Sequence, residues 1–443
     1  MEAILFVVIA AAAAVALGTV LATGAFFILA RGLPPVQKGV VAFFHPFADG
    51  GGGGERVLWC AVKAVQEASQ TARVVPLRRT HLVLPERYRR LTLVRQALGS
   101  IGLGLEALRQ LVPEVFIDTT GWAFPYPWAR WTGARVVAYV HYPTISTDML
   151  GRVWAGAATY NNDAEIAESP VKTSLKLLYY QAFAAWYAAC GALPSVVAVN
   201  SSWTRDHIRR LWFLGRPPVL VYPPVDTADL LSLPLDRKLK RLYLVSVAQF
   251  RPEKNHRLQL QAFALAKRAA GPTLQGQAVR EARLVMIGGC RNADDQARLA
   301  GLQRHAEELG VAEHVDWVVN APYSELRSLL GGAVGGLHTM LDEHFGISVV
   351  EYMAAGLVPI AHNSAGPKQD IVLPLPGEDG SETQTGFLAS SAEEYAEAIT
   401  RVLTMDQRER LRMAAAAQQQ ARRFSHQRFH QDFTAAVAGV LPP

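Results

Sequence analysis

The sequence predicts an α/β protein with two doubly wound, Rossmann-like domains that face a cleft, preceded by a transmembrane helix. Short apolar strands alternate with helices, and this alternation starts again after a segment rich in proline and charge at 221–241. That repeat predicts two parallel sheets, each covered by helices. At 443 residues the chain exceeds one ordinary core and is long enough for two.

The predicted transmembrane helix is the stretch 3–30, which holds no charged side chain over 28 positions. About 20 apolar residues suffice to cross a bilayer. The alternative is a cleavable signal peptide, but that needs a basic start and a shorter apolar segment, whereas this chain begins Met1-Glu2. Arg31 and Lys38 follow the stretch, and positive charge favours the cytosolic side. We therefore expect a single-pass anchor within residues 1–31 and cytosolic domains.

Continuous apolar runs are typical of parallel strands that are buried on both faces. In the first half of the chain they occupy 40–44, 115–117, 136–140 and 196–199. In the second half they occupy 242–248, 283–289, 314–319, 335–340 and 357–361. The chain is therefore expected to form an N-terminal domain, a C-terminal domain and a last helix that packs back on the first domain, over 32–225, 226–425 and 426–443.

One helix departs from the alternating pattern. The segment 171–196 is apolar nearly all round and carries Lys172, Lys176 and several aromatic residues. Aromatics flanked by lysines suit a helix that lies in the plane of a membrane interface. A buried core helix explains the same pattern equally well.

Composition excludes several classes of protein. The chain is 50% hydrophobic and 19% charged, which excludes disorder. Its net charge is +6, and arginines cluster between positions 73 and 95 without the aromatic motifs of an RNA-binding module, so no nucleic acid is expected. Such a basic face beside an anchor fits anionic lipid, or is simply solvated. Three distant cysteines (Cys60, Cys190 and Cys290) form neither a disulfide framework nor a zinc motif.

The stretch 342–356 carries the clearest chemistry. Glu343 and Glu351 are separated by seven residues, and a helix that begins near Gly346 falls between them. The free N–H groups of Gly346, Ile347 and Ser348 would form an anion site at the start of that helix. The two carboxylates thus flank a phosphate-binding helix end, one placed for a sugar and the other for a ribose.

Cations and glycines complete the predicted site. Arg251 and Lys254 follow the first strand of the second domain, where a ligand in the crevice would lie, and they would pair with a diphosphate. The chain contains no D-x-D pair to hold a metal, so these cations and the helix end must neutralise the leaving group without a metal cofactor. The run Gly50 to Gly54 follows the first strand, and Gly53 and Gly54, next to a helix, would let backbone N–H groups approach a ligand closely.

From the glycine loop to about residue 425, these stretches together resemble the retaining GT-B glycosyltransferases. The segments 45–61, 140–150, 199–208 and 221–226 are similar to the eukaryotic dolichol-pathway α-1,2-mannosyltransferases. The resemblance implies transfer of mannose from GDP-mannose to Man(3)GlcNAc(2)-PP-dolichol for protein N-glycosylation. The fourth mannose would be added, with the fifth as a second step, on the cytosolic face of the endoplasmic reticulum membrane. The preceding mannosyltransferases of the pathway are implied as partners.

The resemblance also implies roles for individual residues. Glu343 would contact the donor mannose and Glu351 the ribose, while Arg251 and Lys254 would hold the diphosphate. His141, which follows the strand at 136–140, would lie beside the mannose. Phe345 is implied in the donor site together with the helix start.

Two other classes of function remain open at this stage. Another enzyme of the GT-B fold, such as a nucleotide-sugar epimerase, would not need the stretch 3–30. A non-catalytic membrane scaffold would have little reason to retain both glutamates, Arg251 and Lys254 together.

Overall fold

The computed structural model describes residues 32–49, 52–66, 73–88, 91–145, 170–236, 241–377 and 380–442. The predicted transmembrane helix at 3–30 lies outside these residues. Within the described ranges, no helix combines the length and apolar character needed to cross a membrane.

The N-terminal sheet has five parallel strands that lie side by side in chain order. Its strands are β1 (Gln37–Phe44), β2 (Pro113–Asp118), β3 (Arg135–Val140), β4 (Val196–Val199) and β5 (Val219–Leu220). The helices between them are α1 (Gly53–Gln66), α2 (Thr92–Gln110), α3 (Tyr126–Trp131), α4 (Pro170–Gly191) and α5 (Ser202–Leu211).

Both faces of this sheet are covered because α1 and α2, in the same crossover, pack on opposite sides. Val115 of β2 belongs to a cluster with Val57 of α1. The next residue, Phe116, belongs to the opposite cluster with Leu103 of α2. Among the described strands the order does not reverse, so the predicted double winding is wrong for this sheet. Both faces are nevertheless covered, because the connection between β1 and β2 contains two helices, one on each face of the sheet.

The C-terminal sheet is doubly wound as predicted, with six parallel strands in the order β13-β10-β9-β6-β7-β8. The strands are β6 (Tyr243–Val247), β7 (Arg283–Gly288), β8 (Val315–Val319), β9 (Gly335–His338), β10 (Val358–His362) and β13 (Phe387–Ala389). A small hairpin is formed by β11 (Leu375–Pro376) and β12 (Glu382–Thr383). The order reverses between β6 and β9, and a crevice at such a switch point is where ligands bind.

The remaining helices follow in chain order. They are α6 (Thr227–Leu231), α7 (His256–Ala269), α8 (Leu274–Glu281), α9 (Ala293–Glu308), α10 (Tyr323–Gly332), α11 (Ile347–Ala354), α12 (Ala392–Thr404), α13 (Gln407–Ala421) and α14 (His426–Val437). The last of them, α14, lies against the N-terminal domain. Its Phe429 and Phe433 are buried in the cluster that contains Val57 of α1 and Tyr139 of β3.

The unusual helix predicted at 171–196 is α4, and it has two different faces. Tyr180, Phe183 and Tyr187 are buried in the core of the N-terminal domain. On the other side Leu178 is 63% exposed, and the small residue Ala182 is exposed as well. The helix is therefore a core helix along one face and leaves an apolar strip in contact with solvent along the other.

Candidate active site

The loop between β9 and α11 carries Glu343, and its backbone explains where α11 begins. Gly346 adopts φ 115°, in the region that favours glycine, and directly precedes Ile347. Glu343 is also held through its main chain, because its carbonyl accepts a hydrogen bond from Gly366 N–H at 3.0 Å. This geometry places the carboxylate beside the helix N-terminus that the sequence predicts.

The carboxylate of Glu343 receives two donors on one oxygen. Lys254 Nζ lies 2.6 Å from Oε2, and His338 Nε2 lies 3.1 Å from the same atom. Burial disfavours the ionised form, but the Lys254 charge and the hydrogen bond from His338 outweigh it, so the pKa of Glu343 is held well below its usual range. Glu343 is therefore an anion whose Oε2 is occupied, and Oε1, which has no donor among the described residues, can accept from a ligand.

Glu351, on α11, pairs with a residue of the other domain. Arg56 Nη1 of α1 lies 3.4 Å from Glu351 Oε1, which joins the two domains across the cleft. Burial raises the pKa of Glu351, and the Arg56 charge offsets part of that rise. Such a carboxylate is suited to accept from neutral hydroxyl groups.

The glycine loop meets both sides of the cleft. A Cβ atom on Gly53 would lie 2.7 Å from Ile347 Cδ1 of α11, closer than real Cβ contacts. A Cβ atom on Gly54 would lie 3.8 Å from His141 Nε2. The absence of a side chain at Gly53 therefore lets the N-terminal domain approach α11 closely, whereas a Cβ atom on Gly54 would make an ordinary contact with His141 of the same domain.

His141 follows β3, and its ring nitrogen Nε2 is buried. Its ring is held by a hydrogen bond with the Thr119 backbone, while Nε2 has no partner among the described residues. Burial, with the nearby His45 and His344, lowers the pKa of His141 to about 3. The ring is thus a neutral imidazole, and His45 beside it contacts Thr119 Oγ1 through Nδ1 at 2.8 Å.

The structure gives less support to side-chain roles in the site for Arg251, Phe345 and Ser348. Arg251 follows β6 on the same loop as Lys254, but its side chain is 37% exposed and its Nη1 pairs with Glu253 Oε1 at 3.8 Å. The Phe345 ring is buried in the core, against Tyr222 and Phe424, so only its backbone remains available to a ligand. Ser348 is half-buried in the first turn of α11.

Sequence reasoning missed His338, Arg56 and an aromatic contact between the domains. The His344 ring stacks on Tyr142, with centroids 4.0 Å apart, and Trp203 stacks on both. Arg56 lies two residues after the glycine run. That position in the sequence is a signal that it belongs to the cleft. His338 ends an apolar strand, and a lone histidine there gives no local signal of its role.

A buried carboxylate fixes the domains further from the glutamates. Asp370 accepts from the Ser202 N–H, at the start of α5, at 2.9 Å and from the Tyr222 hydroxyl at 2.8 Å. Ser202 is in the N-terminal domain and Asp370 in the C-terminal domain, so the pair joins them. Such a charge-assisted contact at a helix N-terminus favours one relative orientation.

The two sheets, the cleft between them and the paired glutamates at a helix start define a glycosyltransferase of the GT-B class. A family profile described as "Glycosyl transferases group 1" matches residues 233–420. The fold is similar to the sucrose-phosphate synthase of Thermosynechococcus elongatus, with a TM-score of 0.62 at 16% identity over 92% of this chain and 98% of that one. A trehalose 6-phosphate synthase from Burkholderia multivorans aligns with a TM-score of 0.58 at 14% identity, covering 87% of this chain and 83% of that one.

The chain belongs to the ALG11 mannosyltransferase family. The profile "ALG11 mannosyltransferase N-terminus" matches residues 38–75 and 68–212. The human GDP-Man:Man(3)GlcNAc(2)-PP-Dol alpha-1,2-mannosyltransferase is 45% identical over 437 residues, covering 90% of this chain and 86% of the relative. The protein of the same name from Dictyostelium discoideum is 39% identical, covering 90% and 85%.

Proposed function

We propose that the protein transfers mannose in α-1,2 linkage from GDP-mannose to Man(3)GlcNAc(2)-PP-dolichol. The observation that carries this proposal is the 45% identity to the human enzyme of that activity over nine tenths of the chain. The contacts of Glu343 with Lys254 and His338 support it, because they leave an ionised carboxylate whose second oxygen suits a sugar hydroxyl. The chain adds the fourth mannose to the lipid-linked core and then the fifth.

Different residues of the cleft contact different parts of the donor during transfer. The bond between mannose C1 and the phosphate oxygen breaks, and its electron pair leaves with GDP. Lys254 and Arg251 meet the charge that develops on the diphosphate, together with the N–H groups at the start of α11. Glu343 and His141 accept from hydroxyl groups of the mannose, Glu351 accepts from the ribose, and Gly53 and Gly54 bring backbone N–H groups close.

Transfer proceeds without a bound metal. Lys254 lies in the cleft and Arg251 on the same loop, so these two cations and the α11 N-terminus supply the positive charge that a metal would otherwise provide.

The protein is held on the cytosolic face of the endoplasmic reticulum membrane by a single anchor at 3–30. Support comes from the uncharged stretch and from Arg31 and Lys38 behind it. The exposed apolar strip of α4 around Leu178 adds a second contact with lipid, near the preceding mannosyltransferases of the pathway. Asn200 begins the sole N-x-[ST] sequon, but it is buried and so reports topology poorly.

Topology is better tested with an engineered sequon beside the exposed residue Asp236. We expect no glycan at that site, and we expect protease to digest the domains in intact microsomes. Glycosylation there, or protection of the whole protein, would place the domains in the lumen and remove access to a cytosolic donor.

The activity itself is tested with purified full-length chain and a ladder of lipid-linked acceptors carrying two to five mannoses. Mass spectrometry should show transfer from GDP-mannose to the acceptors with three and four mannoses, and none to the others. Transfer from UDP-glucose in its place would contradict the proposed donor.

A further inference from the structure

We infer that His338 is a positioning residue for the transfer reaction, which fixes the Glu343 carboxylate so that Oε1 faces the donor sugar. This inference rests on the proposed function. Its basis is that His338 Nε2 lies 3.1 Å from Glu343 Oε2, the oxygen that Lys254 also contacts. Because both donors share Oε2, they orient the carboxylate, and Oε1 has no donor within the described part of the chain.

His338 is well placed to hold a loop residue. It is the last residue of β9, which pairs with β6 and β10 in the centre of the sheet. Its carbonyl accepts from the Tyr395 hydroxyl of α12 at 2.8 Å. A side chain on a rigid strand can fix a loop carboxylate more closely than another loop residue can.

The hydrogen-bonding role of His338 follows from its two nitrogens. Nε2 faces a carboxylate and must donate, while Nδ1 is buried and has no partner among the described residues. Nε2 therefore supplies a directed hydrogen bond to the carboxylate, whereas Lys254 supplies a charge.

The separate roles of Lys254 and His338 become important when the bond between mannose and the diphosphate breaks. Negative charge grows on the diphosphate, and Lys254 has to serve both the diphosphate and Glu343. Within the described ranges Nε2 of His338 has no other partner, so it keeps the carboxylate in place while Lys254 shifts toward the leaving group. Lys254, His338 and His344 are the titratable groups facing Glu343, and His256 and His362 lie near His338.

The test compares two amide substitutions in the full-length protein. In H338Q the amide nitrogen occupies the place of Nε2 and keeps the hydrogen bond, whereas in H338N it lies nearer the place of Nδ1 and loses it. We expect H338N to lower kcat for mannosyl transfer by about tenfold to a hundredfold with little change in KM for GDP-mannose. We expect H338Q to retain at least about a third of the activity.

A pH profile separates positioning from a general loss of structure. Without the hydrogen bond the pKa of Glu343 rises, so a larger fraction of this carboxyl is protonated at acid pH. In H338N the acid limb of the kcat profile should therefore move to higher pH. The control is Tyr395→Phe, which removes a hydrogen bond to the His338 carbonyl but leaves the imidazole. It should lower the melting temperature without moving the acid limb.

Several outcomes would overturn the inference. One is a kcat of H338N within twofold of wild type. Another is an acid limb of the kcat profile that does not move in H338N, or that moves equally in H338N and Tyr395→Phe. If H338N does not fold, H338Q decides, since a folded glutamine variant without activity contradicts the role. Failure of the wild-type chain to transfer mannose would instead refute the proposed function, because every variant comparison requires that activity.

Discussion

Replacing Lys254 with methionine tests the buried ion pair at the centre of the site. The pair joins Lys254 Nζ and Glu343 Oε2 at 2.6 Å, with side-chain exposures of 24% and 14%. Removing one partner of a buried pair costs about 3–5 kcal/mol, and partial exposure places this pair near about 3 kcal/mol. For a domain of about 200 residues, that corresponds to a fall in melting temperature of about 6–12 °C.

The pH dependence of this loss has a definite sign. In the wild type the pKa of Glu343 is lowered, so the stabilisation is present above the pKa of an unfolded glutamate and is lost only as pH falls through the lowered value. In the methionine variant burial raises the pKa of Glu343, and the carboxyl takes up a proton more easily. The stability deficit should therefore shrink as pH is lowered from about 7.5 to about 5.

Thermal unfolding and transfer rates should be measured on the same preparations. The control is Lys368→Met, an exposed lysine of the same domain, which should change the melting temperature by less than about 1 °C. The double variant K254M/E343Q removes the unpaired charge, so it should recover more than half of the lost stability while remaining inactive. A K254M protein that melts within about 2 °C of wild type and keeps a third of its kcat would refute the ion-pair reasoning.

Three further predictions follow from the same geometry. Arg251→Ala should lower kcat/KM by about 10²–10³ through loss of one donor to the leaving group, and a loss below threefold would remove Arg251 from the site. Transfer should continue after complete chelation by EDTA, and activity that manganese restores would contradict the proposed metal-independent transfer. Phe345→Ala should cost about 3–5 kcal/mol of unfolding free energy because the ring lies in the core, and an unchanged denaturation midpoint would contradict this packing.

The strands were predictable from sequence because apolar runs buried on both faces leave little choice of structure. The run predicted at 357–361 forms β10 at Val358–His362, and that at 196–199 forms β4. The strand order of the N-terminal sheet was not predictable. It depends on which face each helix packs against, and α1 and α2 differ in that respect although both lie in the connection between β1 and β2.

At the site, the helix start at Gly346 could be predicted because the cues are local. Those cues are a glycine before an apolar run and flanking acidic residues. The partners of the acidic residues could not be predicted in the same way. The contacts of Glu351 with Arg56, 295 positions away, and of Glu343 with Lys254, 89 positions away, depend on how the strands and domains assemble.

Phe345 shows where a motif can mislead. Its neighbours Glu343 and Gly346 have their roles through the loop and the helix end, so the residue between them was expected in the donor site as well. Its ring instead packs against Tyr222 and Phe424, since a large apolar side chain gains more from the core than from a polar cleft.

The most direct test of the central claim is transfer by wild type and by Glu343→Gln, measured side by side with GDP-mannose and the lipid-linked trimannosyl acceptor. We expect the wild-type product to be extended by mannose that an α-1,2-specific mannosidase removes. We also expect the glutamine variant to fold and its kcat to be lower by at least about a hundredfold. A product resistant to that mannosidase, or equal rates for the two proteins, would contradict α-1,2-mannosyl transfer that depends on the Glu343 carboxylate.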